Sequence, residues 1–371
     1  MLKKENDMLT YMRIPYETAQ RFCQNVFGSY GFTPDESAKI TDILLAADLG
    51  GIESHGIQRL VRYDTEIRAG FVDVHARPET VFETPVSAVI DAKSAMGQLI
   101  SYEAMEVAIR KAQKSCIGMV AVRNSNHYGI AGYYAQMASK QDLVGICMTN
   151  TEAIMVPTFA RQAMLGTNPI AFAMPADPID YLFDAATTVI PRGKLEVYKK
   201  RGKPVPAGWV LDENGLDSTD AARVLDNIIA KRGGGILPLG GSGENNSGYK
   251  GYGFGMLCEI CTAVFAQGAT SDLIYKKKGK AEICHFFAAF DYGIFGEKAA
   301  IRREFSKYLQ KVRDADKAKG RERIYIHGEK EFEARDDRLK NGLLLNEKTL
   351  EEMRRIAARQ DVDASELHRI S

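Results

Sequence analysis

Two histidines in the sequence stand where a side chain could transfer a proton. His127 follows the apolar run 118–123 within the polar segment 124–129, so it lies at the carboxyl end of a predicted strand and leads into a predicted helix. Open α/β sheets bind ligands at such strand ends. The positive end of the helix disfavours an imidazolium, which favours a neutral, basic ring at about pH 7. We interpret His127 as a candidate acid–base residue; the alternative is a structural histidine in a polar turn.

His55 and Arg59 are four residues apart in the segment 53–59. If a helix begins at Ser54, the two side chains share one face of it. A guanidinium can bind a carboxylate through two parallel hydrogen bonds, while an imidazole beside it handles a hydroxyl proton. The pair therefore suits a small carboxylate that also has a reactive oxygen. The alternative is a surface helix with unrelated polar residues.

Glycine-supported lysines are the candidates for holding phosphate groups. Lys250 lies in the glycine-rich segment 237–253, directly before an apolar helix, and Gly328–Lys330 offers a second glycine and lysine. Backbone N–H groups and a lysine at a helix start suit a pyrophosphate, although a flexible surface loop is the alternative. Asp184, at the end of a buried strand, could accept a hydrogen bond from a ribose hydroxyl. The sequence has neither GxGxxG after a strand nor a GxxxxGK[ST] motif, so it lacks the Rossmann and P-loop signatures.

The elements that must position these residues alternate between strands and helices after about residue 85. Short apolar runs predict strands, at 87–91, 118–123, 143–150, 170–174, 181–184, 283–290 and 323–326. Helical spacing of apolar residues and capping signals predict helices, at 14–30, 33–50, 54–63, 102–115, 130–140, 221–231, 252–267, 297–318 and 347–359.

Composition excludes several classes of partner and compartment. The chain has 371 residues with 49 basic and 48 acidic side chains, which removes the electrostatic reason to expect nucleic acid or an anionic membrane as a partner. The longest apolar run, 253–266, contains Glu259 and is too short to span a bilayer. Six cysteines without framework spacing indicate reduced thiols and a cytoplasmic protein.

The CxxC pair Cys258 and Cys261 is a possible redox pair or half of a metal site. No second CxxC follows it, and only Cys284 and His285 stand nearby in the sequence. A structural zinc site needs four ligands. We therefore expect two buried cysteines on an apolar helix and no metal site.

Several ordered motifs, none specific alone, make the chain resemble the type-2 malate/L-lactate dehydrogenase family over nearly its whole length. That family also includes ureidoglycolate, sulfolactate and diketogulonate oxidoreductases. The motifs are Ser54-His55-Gly56, Asn126-His127-Tyr128-Gly129-Ile130-Ala131-Gly132, Thr149-Asn150, Leu165-Gly166-Thr167-Asn168-Pro169, Asp184-Ala185-Ala186-Thr187, Gly193-Lys194, Pro206-Ala207-Gly208-Trp209, Leu237-Pro238-Leu239-Gly240-Gly241 and Gly248-Tyr249-Lys250-Gly251.

The resemblance implies an α/β (α+β) fold without a Rossmann unit, made of a mixed-sheet nicotinamide-binding domain and a helical domain. On this basis we expect the helical domain in 11–86, 214–281 and 336–371, and the sheet domain in 87–213 and 282–335. It also implies a homodimer and NAD as cofactor, with NADP possible. By motif position the cofactor contacts are Leu182, Phe183, Asp184, Ala185, Ala186, Tyr249, Lys250, Gly328, Glu329 and Lys330.

The implied reaction is hydride transfer between NAD(P) and a small 2-hydroxy acid, with malate or lactate favoured and ureidoglycolate or sulfolactate as alternatives. His127 resembles the family's acid–base histidine, and His55 and Arg59 resemble its other active-site histidine and its carboxylate arginine. We expect His55 and Asn150 to complete the polar wall around the reacting oxygen. Two other classes stay open: a metal-free hydroxy-acid lyase or isomerase, and an inactive carboxylate-binding protein.

Overall fold

The computed structural model describes residues 11–367. The strands are β1 (Tyr11–Ile14), β2 (Glu79–Glu83), β3 (Ser87–Asp91), β4 (Ile117–Ser125), β5 (Val144–Thr149), β6 (Ile170–Met174), β7 (Tyr181–Ala185), β8 (Val210–Leu211), β9 (Asp217–Ser218), β10 (Gly235–Ile236), β11 (Ile283–Phe290) and β12 (Leu343–Asn346). The helices are α1 (Tyr16–Ser29), α2 (Pro34–Leu49), α3 (Leu60–Arg68), α4 (Gly97–Ser115), α5 (Ala131–Ser139), α6 (Arg192–Lys200), α7 (Ala221–Ala230), α8 (Gly248–Glu259), α9 (Lys298–Asp314), α10 (Glu329–Asn341) and α11 (Glu347–Gln360).

The chain divides into two compact units by its internal contacts. Of the described residues, the helical unit contains 11–69 and 328–367, and the sheet unit contains Gly70–His327. In the described part of this unit, β1 pairs antiparallel with β12, and the α-helices are α1, α2, α3, α10 and α11. The predicted capping box at the start of α2 is present, because Glu36 N donates to Thr33 Oγ1 and Thr33 N donates to the Glu36 carboxylate.

The predicted helix at 54–63 is only partly correct. Two single 3₁₀ turns, Glu53–His55 and Ile57–Arg59, precede α3. Gly56 separates them with an extended ψ of −150°. His55 and Arg59 therefore do not share the face of one continuous helix, and the spacing argument for them fails.

The sheet unit contains the mixed β-sheet expected for this fold class. Its strand order is β2-β3-β4-β11-β5-β6-β7. β3 and β4 are parallel and joined by α4, and every other neighbouring pair is antiparallel. Because β11 lies between β4 and β5, those two strands run in the same direction. As a result β4, β5 and β7 end at one edge of the sheet, and β6 and β11 begin there; we call this the site edge.

The segment 214–281 lies in the sheet unit, which differs from the domain boundaries expected from the sequence. The buried side of α8 and of the π-helical turn that follows it packs on the large sheet, where Cys258 and Ala266 join an apolar cluster with Met148 and Phe286. A second apolar cluster joins α6 and α7 to the small sheet β10-β8-β9. These contacts attach the segment to the large and small sheets of the sheet unit.

The predicted strand at 323–326 is wrong, because this segment makes no strand pairing. The next residue, His327, accepts a backbone hydrogen bond of 3.2 Å from Leu182 N, and its ring contacts Tyr181 and Phe183 of β7. Ile326 packs on Leu309 of α9. Within residues 11–367, no helix is both long enough and apolar enough to cross a membrane.

Candidate active site

His127 lies in the turn between β4 and α5, two residues after the strand ends, as its sequence context predicts. It is half-buried. The backbone of this turn rests against the start of α4, since a β-carbon on Gly97 would lie closer than 3.0 Å to the carbonyl oxygens of Asn126 and His127. Asn126 Nδ2 also donates to the carbonyls of Ser94 and Ala95 at 3.0 and 2.9 Å. The chain on the β4 side of His127 is therefore fixed by backbone packing and side-chain hydrogen bonds.

Asp184, at the end of β7, caps the helix that follows His127. Its Oδ2 accepts a hydrogen bond of 2.7 Å from Gly132 N in the first turn of α5. The helix start near His127 thus already faces a carboxylate, which offsets its positive end. Asp184 itself is exposed to solvent. At the site edge, both candidates therefore lie near the start of α5. His127, the candidate proton-transfer residue, precedes this helix, and Asp184, the candidate ribose ligand, caps its first turn.

Asn150, directly after β5, lies at the same edge but is fully buried. Its Nδ2 donates to Glu259 Oε1 at 3.2 Å and to Ala269 O at 2.9 Å, and its Oδ1 accepts from Cys284 N at 2.8 Å. These bonds use both amide protons and the amide oxygen. Asn150 therefore holds β5, β11 and the segment around Ala269 together at the site edge. The direct contact with a substrate oxygen that the sequence led us to expect would require these bonds to break.

Glu259 is the centre of this support, and the sequence analysis gave it no role. Its carboxylate accepts from Asn150 Nδ2, from Asn168 Nδ2 at 2.8 Å, and from both Ser271 N and Ser271 Oγ at 2.7 Å. Four donors satisfy a carboxylate that is 4% exposed. A single glutamate inside the apolar run 253–266 was the available signal, because an isolated acid there needs buried partners.

His285 is the second residue that sequence reasoning missed. It lies on β11 with no exposed surface, and burial lowers its pKa to about 3, so the ring is neutral at neutral pH. Its Nδ1 shares a hydrogen bond of 2.8 Å with Thr149 Oγ1, and its Nε2 shares one of 2.9 Å with Ser125 Oγ. It therefore links the ends of β4 and β5 across the start of β11.

In the helical unit, His55 and Arg59 lie in the turn 53–59. Ser54 Oγ shares a hydrogen bond of 2.9 Å with His55 Nδ1, and Arg59 Nε donates to Ser54 O at 2.5 Å. Burial, and then the positive charges of Arg59 and Arg62, lower the pKa of His55 to about 4. His55 is therefore a neutral hydrogen-bonding group beside a cation at neutral pH.

Asp48 supports that turn from α2. Its Oδ2 accepts a hydrogen bond of 2.6 Å from Ile57 N, and the Arg338 guanidinium donates to its backbone carbonyl. Burial raises the pKa of Asp48 to about 7, although the bond from Ile57 and the charge of Arg338 favour the carboxylate. The direction of the His55 turn thus depends on one buried carboxyl group.

Lys250 lies in the first turn of α8, and its side chain is exposed. This first turn contains no acidic residue. The glycines on either side of it allow close backbone packing. A β-carbon on Gly248 would lie closer than 3.0 Å to the carbonyl of Gly241, and one on Gly251 equally close to that of Leu239. The segment is therefore a packed loop that presents Lys250 beside a helix N-terminus. Tyr249, whose ring centroid is 5.8 Å from Lys250 Nζ, is also exposed.

The remaining candidate cofactor residues lie in two places. Leu182, Phe183, Ala185 and Ala186 are half-buried on or beside β7. Gly328, with φ of 97°, precedes α10, whose first turn contains Glu329 and Glu331 around Lys330. Two acidic residues make this helix start a poorer phosphate site than that of α8.

Among residues 11–367, no group of three or more histidines, cysteines, aspartates or glutamates has the arrangement of a metal site. Cys258 is buried, Cys261 is half-buried, and burial raises the pKa of both thiols. The six cysteines all fall in this described part, and none is in a disulfide.

Comparison with known proteins identifies the family. The family model for malate/L-lactate dehydrogenase matches residues 14–354. The chain is 41% identical to a malate dehydrogenase of Pyrococcus abyssi, over 96% of this chain and 97% of that protein. It is 37% identical to an L-sulfolactate dehydrogenase of Methanocaldococcus jannaschii, over 84% of this chain and 87% of that protein.

A solved structure agrees with these sequence matches. The crystal structure of malate dehydrogenase from Entamoeba histolytica superposes with a TM-score of 0.92 at 33% identity, covering 96% of this chain and all of that one. The family match over 14–354 and these relatives therefore lead to one conclusion. The chain belongs to the malate/L-lactate dehydrogenase family of nicotinamide-dependent oxidoreductases.

Proposed function

We propose that this enzyme oxidises malate to the corresponding 2-oxo acid with NAD, and catalyses the reverse reduction. Each turnover moves a hydride from the hydroxyl-bearing carbon to the cofactor and releases the hydroxyl proton. The observation that supports this most is the site edge, where the topology gathers His127 and Asp184 above a buried network around Asn150. The malate dehydrogenase of Pyrococcus abyssi, at 41% identity, supports malate over other 2-hydroxy acids.

In this proposal His127 accepts the hydroxyl proton during oxidation and returns it during reduction. Arg59 binds the substrate carboxylate, and its Nε bond to Ser54 O fixes the direction of the guanidinium. His55, neutral because its pKa is about 4, donates or accepts a hydrogen bond without adding charge. Asn150, with its amide fully bonded within the protein, holds the edge in place instead of contacting the reacting oxygen.

The donor set of the sheet unit fits a nicotinamide dinucleotide. Lys250 at an acid-free helix start suits a diphosphate, and Asp184 suits a ribose hydroxyl. Leu182, half-buried on the same face of β7 as Asp184, offers apolar surface for a planar ring, whereas Phe183 is half-buried on the opposite face. When bound, the nicotinamide supplies hydride acceptance and donation, while the protein supplies position and charge.

We propose NAD in preference to NADP because of the charge on Asp184. A carboxylate accepts a hydrogen bond from a free 2′-hydroxyl and repels a 2′-phosphate. The chemistry of Lys330 points the same way, since Glu329 and Glu331 flank it in the sequence and reduce its attraction for a further phosphate. The acidic first turn of α10 gives Gly328–Lys330 the weakest support among the candidate cofactor contacts.

Steady-state assays test the proposed function directly. Malate, lactate, sulfolactate and ureidoglycolate are each assayed with NAD and with NADP, with and without EDTA. We expect the highest kcat/KM for malate with NAD and no effect of EDTA. A higher kcat/KM for sulfolactate would reassign the substrate, and loss of turnover in EDTA with recovery on adding a divalent cation would contradict the metal-free mechanism.

We also propose that the enzyme is a cytoplasmic homodimer. Apart from Lys250 and the buried Glu259, residues 248–266 contain no charged side chain, and they leave a large apolar surface exposed. Its members are at least 37% exposed and include Phe254, Met256, Leu257, Ile260, Val264 and Phe265. A surface of this kind marks a protein interface more often than free surface. Six unpaired cysteines fit a reducing compartment.

Analytical ultracentrifugation of the wild-type protein and of Val264→Glu tests the dimer. We expect a dimer for the wild type and a monomer for the variant, with Ile294→Glu, an exposed apolar residue elsewhere in the sheet unit, as the matched control. A dimer that persists in Val264→Glu would move the interface away from this surface. A monomeric wild type would contradict the proposed homodimer.

A further inference from the structure

Among the residues that the structure describes, His285 is the one histidine in the core of the sheet unit, and the mechanism above does not use it. It lies near the start of β11, between the ends of β4 and β5, with no exposed surface. A buried aromatic residue there would complete the core without cost, whereas a histidine brings two polar nitrogens that need partners. One of these partners, Ser125, lies two residues before the candidate proton-transfer residue, and the ring stacks on Tyr128 directly after it.

The ring of His285 contacts the turn around His127 at several points. Its Nε2 shares a hydrogen bond of 2.9 Å with Ser125 Oγ, two residues before His127. The neighbouring Asn126 backbone partly opposes the lowering of the His285 pKa by burial. Its ring is parallel to that of Tyr128, directly after His127, with centroids 4.5 Å apart and an interplanar angle of 6°.

A second aromatic residue holds Tyr128 in this position. Tyr134 stacks on Tyr128 with centroids 4.9 Å apart, and its hydroxyl donates to the Tyr128 carbonyl at 2.6 Å. Tyr134 belongs to α5, so the stack connects the turn to the helix that Asp184 caps. The residues before and after His127 are therefore both tied to His285, on a strand that arrives from far down the chain.

We propose that His285 is a positioning residue that fixes the Ser125–Tyr128 turn and thereby the direction of the His127 imidazole. This inference rests on the proposed role of His127 in proton transfer. The His285 ring is neutral at neutral pH, since its pKa is about 3. His285 therefore holds the turn without adding a charge close to His127.

Three substitutions of His285 separate its hydrogen bonds to Ser125 and Thr149 from its stack on Tyr128. His285→Gln places an amide near the position of Nε2 and can keep the bond to Ser125, whereas His285→Asn places it near Nδ1 and can keep only the bond to Thr149. His285→Phe keeps the stack on Tyr128 and loses both hydrogen bonds. Phe287→Leu is the matched control, because Phe287 is equally buried on the same strand and contacts Tyr128 and Tyr134 edge-on without bonding to Ser125.

We expect His285→Asn to lower kcat by about 10- to 100-fold, because displacement of a catalytic group by about 1 Å can cost on the order of 10²-fold. The dissociation constant of NADH should stay within twofold, and His285→Gln should recover part of kcat. The pH dependence of kcat should shift in His285→Asn and not in Phe287→Leu. If His285→Asn does not fold, Ser125→Ala, which removes the same bond from the other side, replaces it.

The inference is overturned if kcat in His285→Asn, or in Ser125→Ala where that variant replaces it, lies within twofold of kcat in Phe287→Leu. His127→Ala, measured in parallel, distinguishes this failure from failure of the proposed function. An active His127→Ala would contradict the role of His127 itself. An inactive His127→Ala together with normal His285 and Ser125 variants would contradict only the positioning role.

Discussion

The Asp48 carboxylate occupies the space that a side chain at position 56 would need. A β-carbon on Gly56 would lie closer than 3.0 Å to three atoms of that carboxyl group. The same group accepts the hydrogen bond from Ile57 N. The glycine of the Ser54-His55-Gly56 motif is therefore required by the carboxylate beneath it, since its φ of −85° is open to any residue.

We expect Gly56→Ala to destabilise the protein and to raise the KM for the hydroxy acid. The methyl group must displace Asp48, and the loss of its bond leaves Ile57 N without that partner, which costs about 1–3 kcal/mol for a buried donor. Urea unfolding measures the effect. Asp48→Ala opens the space, so the double variant should cost clearly less than the sum of the two single variants. Additive costs would show that the two residues do not compete for the same space.

Asp48 should make stability depend on pH between about 4 and 7. Burial raises its pKa from 3.8 to about 7, so the folded state holds a proton that the unfolded state has released. Its stabilising contribution is therefore complete below about pH 4 and is lost as the pH rises towards 7. The free energy of unfolding of the wild type relative to Asp48→Asn should fall across this range and level off above it. A difference that is constant with pH would contradict the raised pKa.

His127→Ala should lose most of its turnover. General acid–base groups contribute roughly 10²–10⁴-fold to rate, so kcat at saturating substrate should fall by that factor. His75→Ala is the control, because His75 is exposed in the loop after α3. The pKa of His55 is about 4, so an ionisation seen near neutral pH in kcat should not belong to His55. A loss of less than tenfold would move proton transfer to another group.

Arg59→Lys should raise the KM for the hydroxy acid and change kcat much less. Lysine keeps the charge but cannot form two parallel hydrogen bonds with a carboxylate. The lost charge-assisted bond costs about 1.5–3 kcal/mol, which corresponds to roughly 10- to 100-fold in KM. Arg62→Lys is the control, since Arg62 Nε already donates to Glu66 at 2.8 Å within α3. If Arg62→Lys has the larger effect, Arg62 is the carboxylate ligand.

Lys250→Ala should weaken the binding of NADH far more than that of the hydroxy acid. The side chain and the helix start beside it are the strongest phosphate site among the candidates. Titration of NADH, followed by its own fluorescence and that of Trp209, gives the dissociation constant. Lys278→Ala, another exposed lysine of the sheet unit, should leave it unchanged. Equal constants for the two variants would place the diphosphate elsewhere.

The strands around the site could be predicted from the sequence because each is a short apolar run with polar residues at its end. β3, β6 and β11 have the predicted bounds, and β4, β5 and β7 differ from them by two residues or fewer at either end. His127 was singled out because it follows such a run, whereas Asn150 came from the family resemblance through the Thr149-Asn150 motif. The order of the strands could not be derived, since the insertion of β11 between β4 and β5 is a long-range pairing with no local signal.

His285 and Glu259 were missed for a related reason. Both lie in segments whose apolar neighbours indicate core, and their partners are distant in the sequence. The turn at His55 was misread because Gly56 interrupts a helical pattern, and the carboxylate that requires this glycine belongs to the preceding helix. Local periodicity predicts helices and strands. The role of a buried polar group depends on partners in other helices or strands, which local periodicity does not reveal.

The place of β11 in the sheet also determines when the site can form during synthesis. β4 and β5 emerge from the ribosome by Thr149, but their shared neighbour begins only at Ile283. At about 5–20 residues per second, their facing edges stay unpaired for several seconds or longer in the nascent chain. Exposed strand edges of this kind are sites of aggregation. We therefore expect ribosome-bound chains that end before β11 to bind chaperones strongly, and release to follow once Phe290 has left the exit tunnel.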